Sequence, residues 1–149
     1  MADAFLRLSQ DDQREVLEIV REKTQRPTLL LEKDVWVVWA LGALFDSALA
    51  DDLTFKGGTS LSKAYKVIDR FSEDIDLIVD KEVLGFGGDA APERAPSNKQ
   101  RRARLDSLME GCRQWVQGTL HPALAARIAD AIGPDGWKLE VDPDMADGQ

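Results

Sequence analysis

Apolar residues recur at helical spacing along the first third of the chain. Ser9 precedes a run of apolar positions that share one helical face, and this pattern predicts a capped helix that ends before Pro27. The next segment, Leu29–Leu49, is apolar around most of its circumference. It is therefore predicted to be a core helix, with Thr28 as its cap.

The middle of the chain predicts a strand, a short helix and a second strand. Leu53–Lys56 has strand character, Leu61–Val67 is the predicted helix, and Ser72–Asp80 alternates between polar and apolar residues. Strand geometry would place Asp74 and Asp76 on one face. The other face would carry Ile75, Leu77 and Val79.

The last third combines a loop, two helices and a further alternating segment. Leu84–Asn98 is rich in glycine, alanine and proline, which predicts a mobile loop without a role in the core. Lys99–Gln117 and Pro122–Ile132 are predicted helices, and Trp137–Asp142 alternates as a strand would. The predicted buried stripe of the first of these helices consists of Leu105, Leu108, Met109, Cys112 and Val116.

Composition limits the class of protein. A chain of 149 residues with 44% hydrophobic and 31% charged residues predicts one globular domain. Its single cysteine excludes an intrachain disulfide and favours the cytoplasm, and the start of the chain lacks the features of a secretory signal. The longest apolar run, Val35–Phe45, is too short to span a membrane. The net charge of −8 argues against a broad nucleic-acid-binding surface.

Two chemical features lie on neighbouring predicted elements. Gly57 and Gly58 allow a tight turn, and the following Thr59 and Ser60 would cap a helix whose N-terminus suits a phosphate. The paired aspartates on the next strand suit divalent cations, as in a two-metal phosphoryl-transfer site. The spacing differs from that of a P-loop, and Lys63 lies one turn into the predicted helix. This layout predicts a nucleotidyltransferase.

The same residues resemble a known family. Lys56–Lys63 (KGGTSLSK) and Arg70–Leu77 (RFSEDIDL) resemble the AbiEii/AbiGii family of nucleotidyltransferase toxins. That family includes the mycobacterial MenT toxins and belongs to the DNA polymerase β-like nucleotidyltransferase superfamily. Glu32-Lys33-Asp34 also looks like a family feature, and the resemblance covers roughly Leu31–Asp80.

The resemblance implies an α+β fold with a polymerase β-like core, in which helices pack around a small mixed sheet. Residues 1–149 would form a single domain, with N-terminal helices at 1–50, a catalytic core at 51–142 and an acidic tail at 143–149. Glu140 is the candidate for the third carboxylate that such enzymes take from a neighbouring strand, and Asp142 is the second choice. The implied catalytic and metal-binding residues are Asp74, Asp76 and Glu140. The implied nucleotide-binding residues are Gly57, Gly58, Thr59, Ser60 and Lys63.

The resemblance also implies the partners of the reaction. Two Mg²⁺ ions would assist transfer of an NMP from an NTP to an RNA acceptor such as tRNA, or to a protein. A cognate antitoxin is implied as a further partner, and no membrane is involved. Family members are usually about twice as long, so the chain is expected to be a truncated form. The alternatives are a catalytically weak module that binds NTP or a partner, and a metal-dependent hydrolase that uses the same carboxylates.

Several local features of the sequence allow two interpretations. Glu32-Lys33-Asp34 either matches the helix dipole or borders the active site. The tryptophans, Trp36 and Trp39, fit the core better than a base-stacking surface. The basic start of the helix after the loop either is solvated or binds an anion; its residues are Lys99, Arg101, Arg102 and Arg104. His121 fits a capping or surface role better than a catalytic one.

Overall fold

The computed structural model describes residues 2–56 and 74–141. Within these ranges the helices are α1 (Ala2–Leu6), α2 (Gln10–Thr24), α3 (Thr28–Phe45), α4 (Asn98–Trp115) and α5 (His121–Ile132). The strands are β1 (Leu53–Lys56) and β2 (Asp76–Val79). Short turns of 3₁₀-helix lie at Ala50–Asp52, Gly88–Ala90 and Pro92–Arg94, and a π-helical turn at Val116–Leu120 joins α4 to α5. No helix of the described ranges is both long enough and apolar enough to cross a bilayer.

The start of α2 agrees with its predicted cap, whereas the start of α3 does not. The Ser9 hydroxyl accepts a hydrogen bond from the backbone N–H of Asp12 at 3.2 Å, which satisfies one of the free donors of the first turn. Thr28 is the first residue of α3 and not its cap, so that prediction was wrong. Pro27 occupies the cap position, because its fixed φ suits the residue at a helix start and it needs no hydrogen-bond donor there.

The helical core lies between α1, α3 and α5. Its buried residues are Leu6, Trp39, Ala43 and Ile128. The indole N–H of Trp39 donates a 2.8 Å hydrogen bond to the Asp3 carboxylate, so this large side chain is buried with its polar atom satisfied. The prediction that the apolar segment forms a core helix is confirmed, although the helix ends at Phe45 and not at Leu49.

The sheet of the described residues is a two-stranded antiparallel pair. Its register joins Leu53 to Val79 and Lys56 to Asp76 at the two ends. The ring of Phe55 packs against that of Phe45 at the end of α3, with centroids 6.3 Å apart, which attaches the sheet to the helices. Helices and this small sheet are consistent with the expected α+β class, although the only pairing described is antiparallel and not mixed.

Residues 137–141 do not form the predicted strand, and they adopt neither helix nor strand. The predicted alternation of faces is nevertheless present: Trp137 and Leu139 are half-buried, while Lys138 and Glu140 are exposed. Trp137 and Leu139 pack against the helical core and not against a sheet. Alternation of polar and apolar residues indicates that one side of an extended segment is covered. It does not indicate whether a sheet or helices cover that side.

The segment after β2 was wrongly predicted to be a mobile loop without a core role. Ala91 is only 3% exposed, and Pro92 is also buried. The guanidinium of Arg104 donates hydrogen bonds of 2.8 and 2.9 Å to the carbonyl oxygens of Asp89 and Ala91. These bonds fasten the segment to α4, so its small residues serve as packing residues as well as turn residues.

Helix α4 does not bury the predicted apolar stripe. None of its residues is buried, and Leu105 and Met109 remain 41% and 38% exposed. The amphipathic pattern correctly predicted a helix, and Ser97 caps it by accepting from the backbone N–H of Gln100. The sequence pattern does not indicate whether a neighbouring element covers the apolar side of this helix.

Candidate functional site

The paired aspartates lie at the start of β2. Asp76 is the first residue of the strand, and Asp74 precedes it by two positions. Exposure alternates along this segment as predicted: Asp74 and Asp76 are exposed, whereas Ile75 and Leu77 are half-buried. This alternation of exposure is what strand geometry predicts for carboxylates on one side and apolar side chains on the other.

The register of the sheet places the residue before the glycine pair opposite one of the aspartates. Lys56, the last residue of β1, pairs with Asp76, the first residue of β2. Directly opposite residues of an antiparallel pair have Cβ atoms about 4.5–5.5 Å apart, so a cation faces one of the aspartates. Lys56 is also the residue that precedes the glycine pair in the sequence. The predicted nucleotide-binding residues themselves lie outside the described residues, and their role stays a prediction; they are Gly57, Gly58, Thr59, Ser60 and Lys63.

A cavity of about 460 Å³ lies beside Asp74. Among the described residues, the charged side chains that line it are Lys33 and Asp74. The other described lining residues are apolar or aromatic: Trp36, Val37, Trp39, Ala40, Ile75, Leu124, Ile128 and Leu139. The structure thus brings a residue of the Glu32-Lys33-Asp34 cluster to the same cavity as the first predicted catalytic aspartate. This placement agrees with the interpretation that the cluster borders the site.

The sequence did not predict the apolar walls of this cavity. Trp36 and Trp39 are three positions apart on α3 and are therefore neighbours on its surface, with ring centroids 5.8 Å apart in an edge-to-face arrangement. Leu124 and Ile128 contribute the wall from α5 at helical spacing. Their pattern alone is that of core residues, so no sequence signal distinguished a wall from a filled core.

The segment that carries Glu140 is attached to α5. A ring nitrogen of His121, Nε2, lies 3.1 Å from the carbonyl oxygen of Leu139, which gives this half-buried histidine a structural contact. Glu140 is exposed and forms an ion pair with Lys138 at 2.6 Å. It follows a residue of the cavity wall, and its role as a third carboxylate stays a prediction. Asp142, the second choice, lies outside the described residues.

The donor set of the site decides how a metal ion would fit. Within the described residues, no group of three or more His, Cys, Asp or Glu side chains is arranged to hold a metal ion. Asp74 and Asp76 supply two carboxylates, which is one ligand fewer than such a group. Mg²⁺ often binds through one or two carboxylates together with substrate phosphates and water, so Asp74 and Asp76 suit an ion that arrives with a nucleotide.

Other charged groups lie away from this cavity or have structural roles. Of the basic residues at the start of α4, Arg104 is engaged by the two carbonyl oxygens of the preceding segment. Lys99, Arg101 and Arg102 are exposed. Glu93 forms an ion pair with Lys81, and the hydrogen bond from the lysine holds the pKa of this carboxyl below its ordinary value.

Comparison with known proteins identifies a protein family that the sequence matches. The model of the family described as "Nucleotidyl transferase AbiEii toxin, Type IV TA system" matches residues 39–146, which is more than half of the chain. The matched range contains both strands, α4 and α5, and it begins within α3 after Lys33 and Trp36. No curated protein and no solved structure matches the chain.

Proposed function

The chain belongs to the AbiEii family of nucleotidyl transferase toxins of type IV toxin–antitoxin systems, and from this membership we propose that it transfers an NMP from an NTP to an acceptor hydroxyl. The acceptor oxygen attacks the α-phosphorus, and the bond from that phosphorus to the β-phosphate bridging oxygen breaks. Pyrophosphate leaves, and the hydroxyl proton passes to solvent or to a nearby carboxylate. The proposed acceptor is an RNA such as tRNA, with a protein as the second choice.

The proposed roles of the residues follow from their chemistry. Asp74 and Asp76 would hold Mg²⁺, with Glu140 as the third candidate ligand. The bound ions would supply charge neutralisation at the leaving pyrophosphate and activation of the acceptor hydroxyl. The turn at 57–60 and Lys63 would hold the triphosphate. The remaining contribution of the protein is to position two anionic reactants, which is the main source of rate in phosphoryl transfer.

The pairing of Lys56 with Asp76 is the observation that best supports this proposal. It sets the end of the strand that leads into the glycine pair against the start of the strand that carries the aspartates. A phosphate-binding turn and a carboxylate pair act on one nucleotide only when they are neighbours, and the register supports that arrangement. The family also implies a cognate antitoxin partner, and the proposed site of action is the cytoplasm, where NTPs and RNA meet.

The test is incorporation of α-³²P-labelled NTP into total RNA with Mg²⁺ present. We expect the double variant Asp74→Asn plus Asp76→Asn to lose about a hundredfold or more of the rate, because charge stabilisation at the transferred phosphoryl is removed. The matched control is Asp106→Asn on α4, which removes an exposed carboxylate remote in sequence from the pair. A double variant that labels RNA as fast as the wild type would contradict the proposed catalytic roles.

The second candidate function is that of a binding module with little or no catalysis. It requires only the cavity beside Asp74, which can hold a ligand whether or not a reaction follows. Magnesium-dependent NTP binding without incorporation into RNA or protein would support this alternative. Release of inorganic phosphate in place of pyrophosphate would instead indicate a hydrolase.

A further inference from the structure

The cavity beside Asp74 has the size and lining of a binding site for a small aromatic ligand. Its volume of about 460 Å³ lies within the range of roughly 300–1,000 Å³ that is typical of small-molecule pockets. Its walls are mostly apolar, with opposite charges at Lys33 and Asp74. We infer that this cavity binds the nucleobase of the NTP, an inference that rests on the proposed nucleotidyl transfer.

The aromatic wall explains why a flat base suits this cavity. Trp39 is 6% exposed and its indole N–H is fixed by Asp3, so it forms a rigid part of the wall. Trp36 is half-buried, rests against Trp39 in edge-to-face geometry and also lines the cavity. A partly exposed indole held by a fixed neighbour offers a stacking surface to any base, because every base has a π-face.

The charged side of the cavity connects it to the proposed chemistry. Asp74 lines the cavity and is also the first aspartate of the pair that is proposed to hold Mg²⁺. A nucleotide whose base enters the cavity would therefore carry its phosphates toward the aspartate pair and the end of β1. Lys33 adds a cation on the same side, where it can contact the sugar or a phosphate.

Another cavity of the described residues does not suit a base. It has a volume of about 100 Å³, and charged side chains line much of it, among them Asp3 of α1, Arg7 just after α1 and Arg127 of α5. A site of this size holds a few water molecules, each of which occupies about 30 Å³ of liquid volume. The larger of these two cavities is the one that Asp74 lines.

Substitution of the cavity wall tests the inference. Ala40 lies one turn after Trp36 and lines the same cavity, so Ala40→Leu fills space without adding charge. Trp36→Leu removes the stacking surface, and Trp36→Phe keeps an aromatic ring. Trp115→Leu at the end of α4 is the matched control, because Trp115 does not line this cavity.

Binding is measured by calorimetry with ATP, GTP, CTP and UTP in turn and with inorganic tripolyphosphate, all with Mg²⁺. We expect Trp36→Leu to weaken binding of the preferred NTP about tenfold, the typical effect of a lost base-stacking contact, and to leave tripolyphosphate binding unchanged. Ala40→Leu should also weaken NTP binding, because it fills the space of the base, and it should leave tripolyphosphate binding unchanged. Trp36→Phe should recover most of the affinity, and Trp115→Leu should bind as the wild type does. Equal weakening for NTP and tripolyphosphate, or no weakening for NTP, would overturn the inference.

A second measurement uses the unmodified protein, so it does not depend on the folding of a variant. Photocrosslinking with 8-azido-ATP and with 4-thio-UTP, followed by mass spectrometry, should label residues of the cavity wall on α3 or α5. Labelling confined to other surfaces would overturn the inference while the proposed transfer reaction stands. A wild-type protein that binds neither NTP nor tripolyphosphate would overturn both.

Discussion

Lys56 and Asp76 lie directly opposite each other at the end of the β1–β2 pair, with both side chains exposed. Opposite charges in this arrangement contribute about 0.2–1 kcal/mol to stability, and like charges are unfavourable. The pair therefore has a small structural effect, and its lysine directly precedes the glycine pair in the sequence.

Reversal of one charge should show this coupling. We expect Lys56→Glu to lower the free energy of unfolding by about 1 kcal/mol, because two carboxylates then face each other. The double variant Lys56→Glu plus Asp76→Lys should recover most of that loss, since it restores an opposite-charge pair. Urea denaturation measures both values, and a double variant no more stable than Lys56→Glu alone would contradict the cross-strand contact.

Trp39 combines burial with one satisfied polar atom, so a conservative change should be costly. We expect Trp39→Phe to lower the free energy of unfolding by roughly 1–3 kcal/mol, because it removes core volume and leaves Asp3 without this donor. The control is Trp115→Phe on α4, which should change the melting temperature much less. Equal decreases in melting temperature for the two variants would show that the buried contact of Trp39 with Asp3 adds no extra stability.

Arg104 should stabilise the segment that follows β2. Its guanidinium bonds to Asp89 and Ala91 are lost in Arg104→Met, which keeps the apolar stem. We expect faster amide hydrogen exchange across residues 84–97 and a loss of about 1–2 kcal/mol in stability. Arg102→Met, a neighbouring exposed arginine, is the control and should leave exchange in this segment unchanged.

Glu93 provides a test of acid sensitivity. Its hydrogen bond with Lys81 holds its pKa below the ordinary value of 4.5. A carboxyl with a lowered pKa in the folded state contributes stability above its unfolded pKa and loses that contribution as pH falls through the folded pKa. We expect Lys81→Met to raise the Glu93 pKa toward 4.5 in an NMR titration. The exposed pair should add little to overall stability, so an unchanged Glu93 pKa is the result that would contradict the contact.

The sequence predicted elements with strong local signals. Ser9 supplied a capping hydroxyl and the apolar residues after it supplied a helical face, and both are properties of neighbouring residues. The short strand that ends at Lys56 was predicted with the bounds that the structure shows. Within the described residues, the strand of the aspartates covers Asp76–Val79, whereas the predicted strand also included Asp74, Ile75 and Asp80.

Features that depend on distant partners could not be predicted in the same way. Leu139 alternates with polar neighbours, yet its partners are helices, and no local pattern identifies the element that covers an apolar side. Leu105 has the spacing of a buried residue and remains exposed for the same reason. Ala91 was assigned to a loop by composition, although a small residue is also easily buried.

The same distinction between local signals and distant partners applies to the candidate site. The aspartate pair was evident because its two carboxylates are close in sequence. Lys33 and Trp36 reach the cavity from α3, far from the aspartates in the chain, so only the fold brings them together. Their contribution to a site was therefore hidden among residues that resemble an ordinary core helix.

Helix α3 contributes Trp39 and Ala43 to the hydrophobic core, and Trp39 also lines the cavity together with Trp36 and Ala40. Adjacent turns of one helix cannot move independently. A shift of α3 that changes the packing of the core therefore also changes the shape of the cavity. Repacking of this domain for greater heat resistance should consequently change its ligand preference, even when every substituted side chain is out of reach of the ligand.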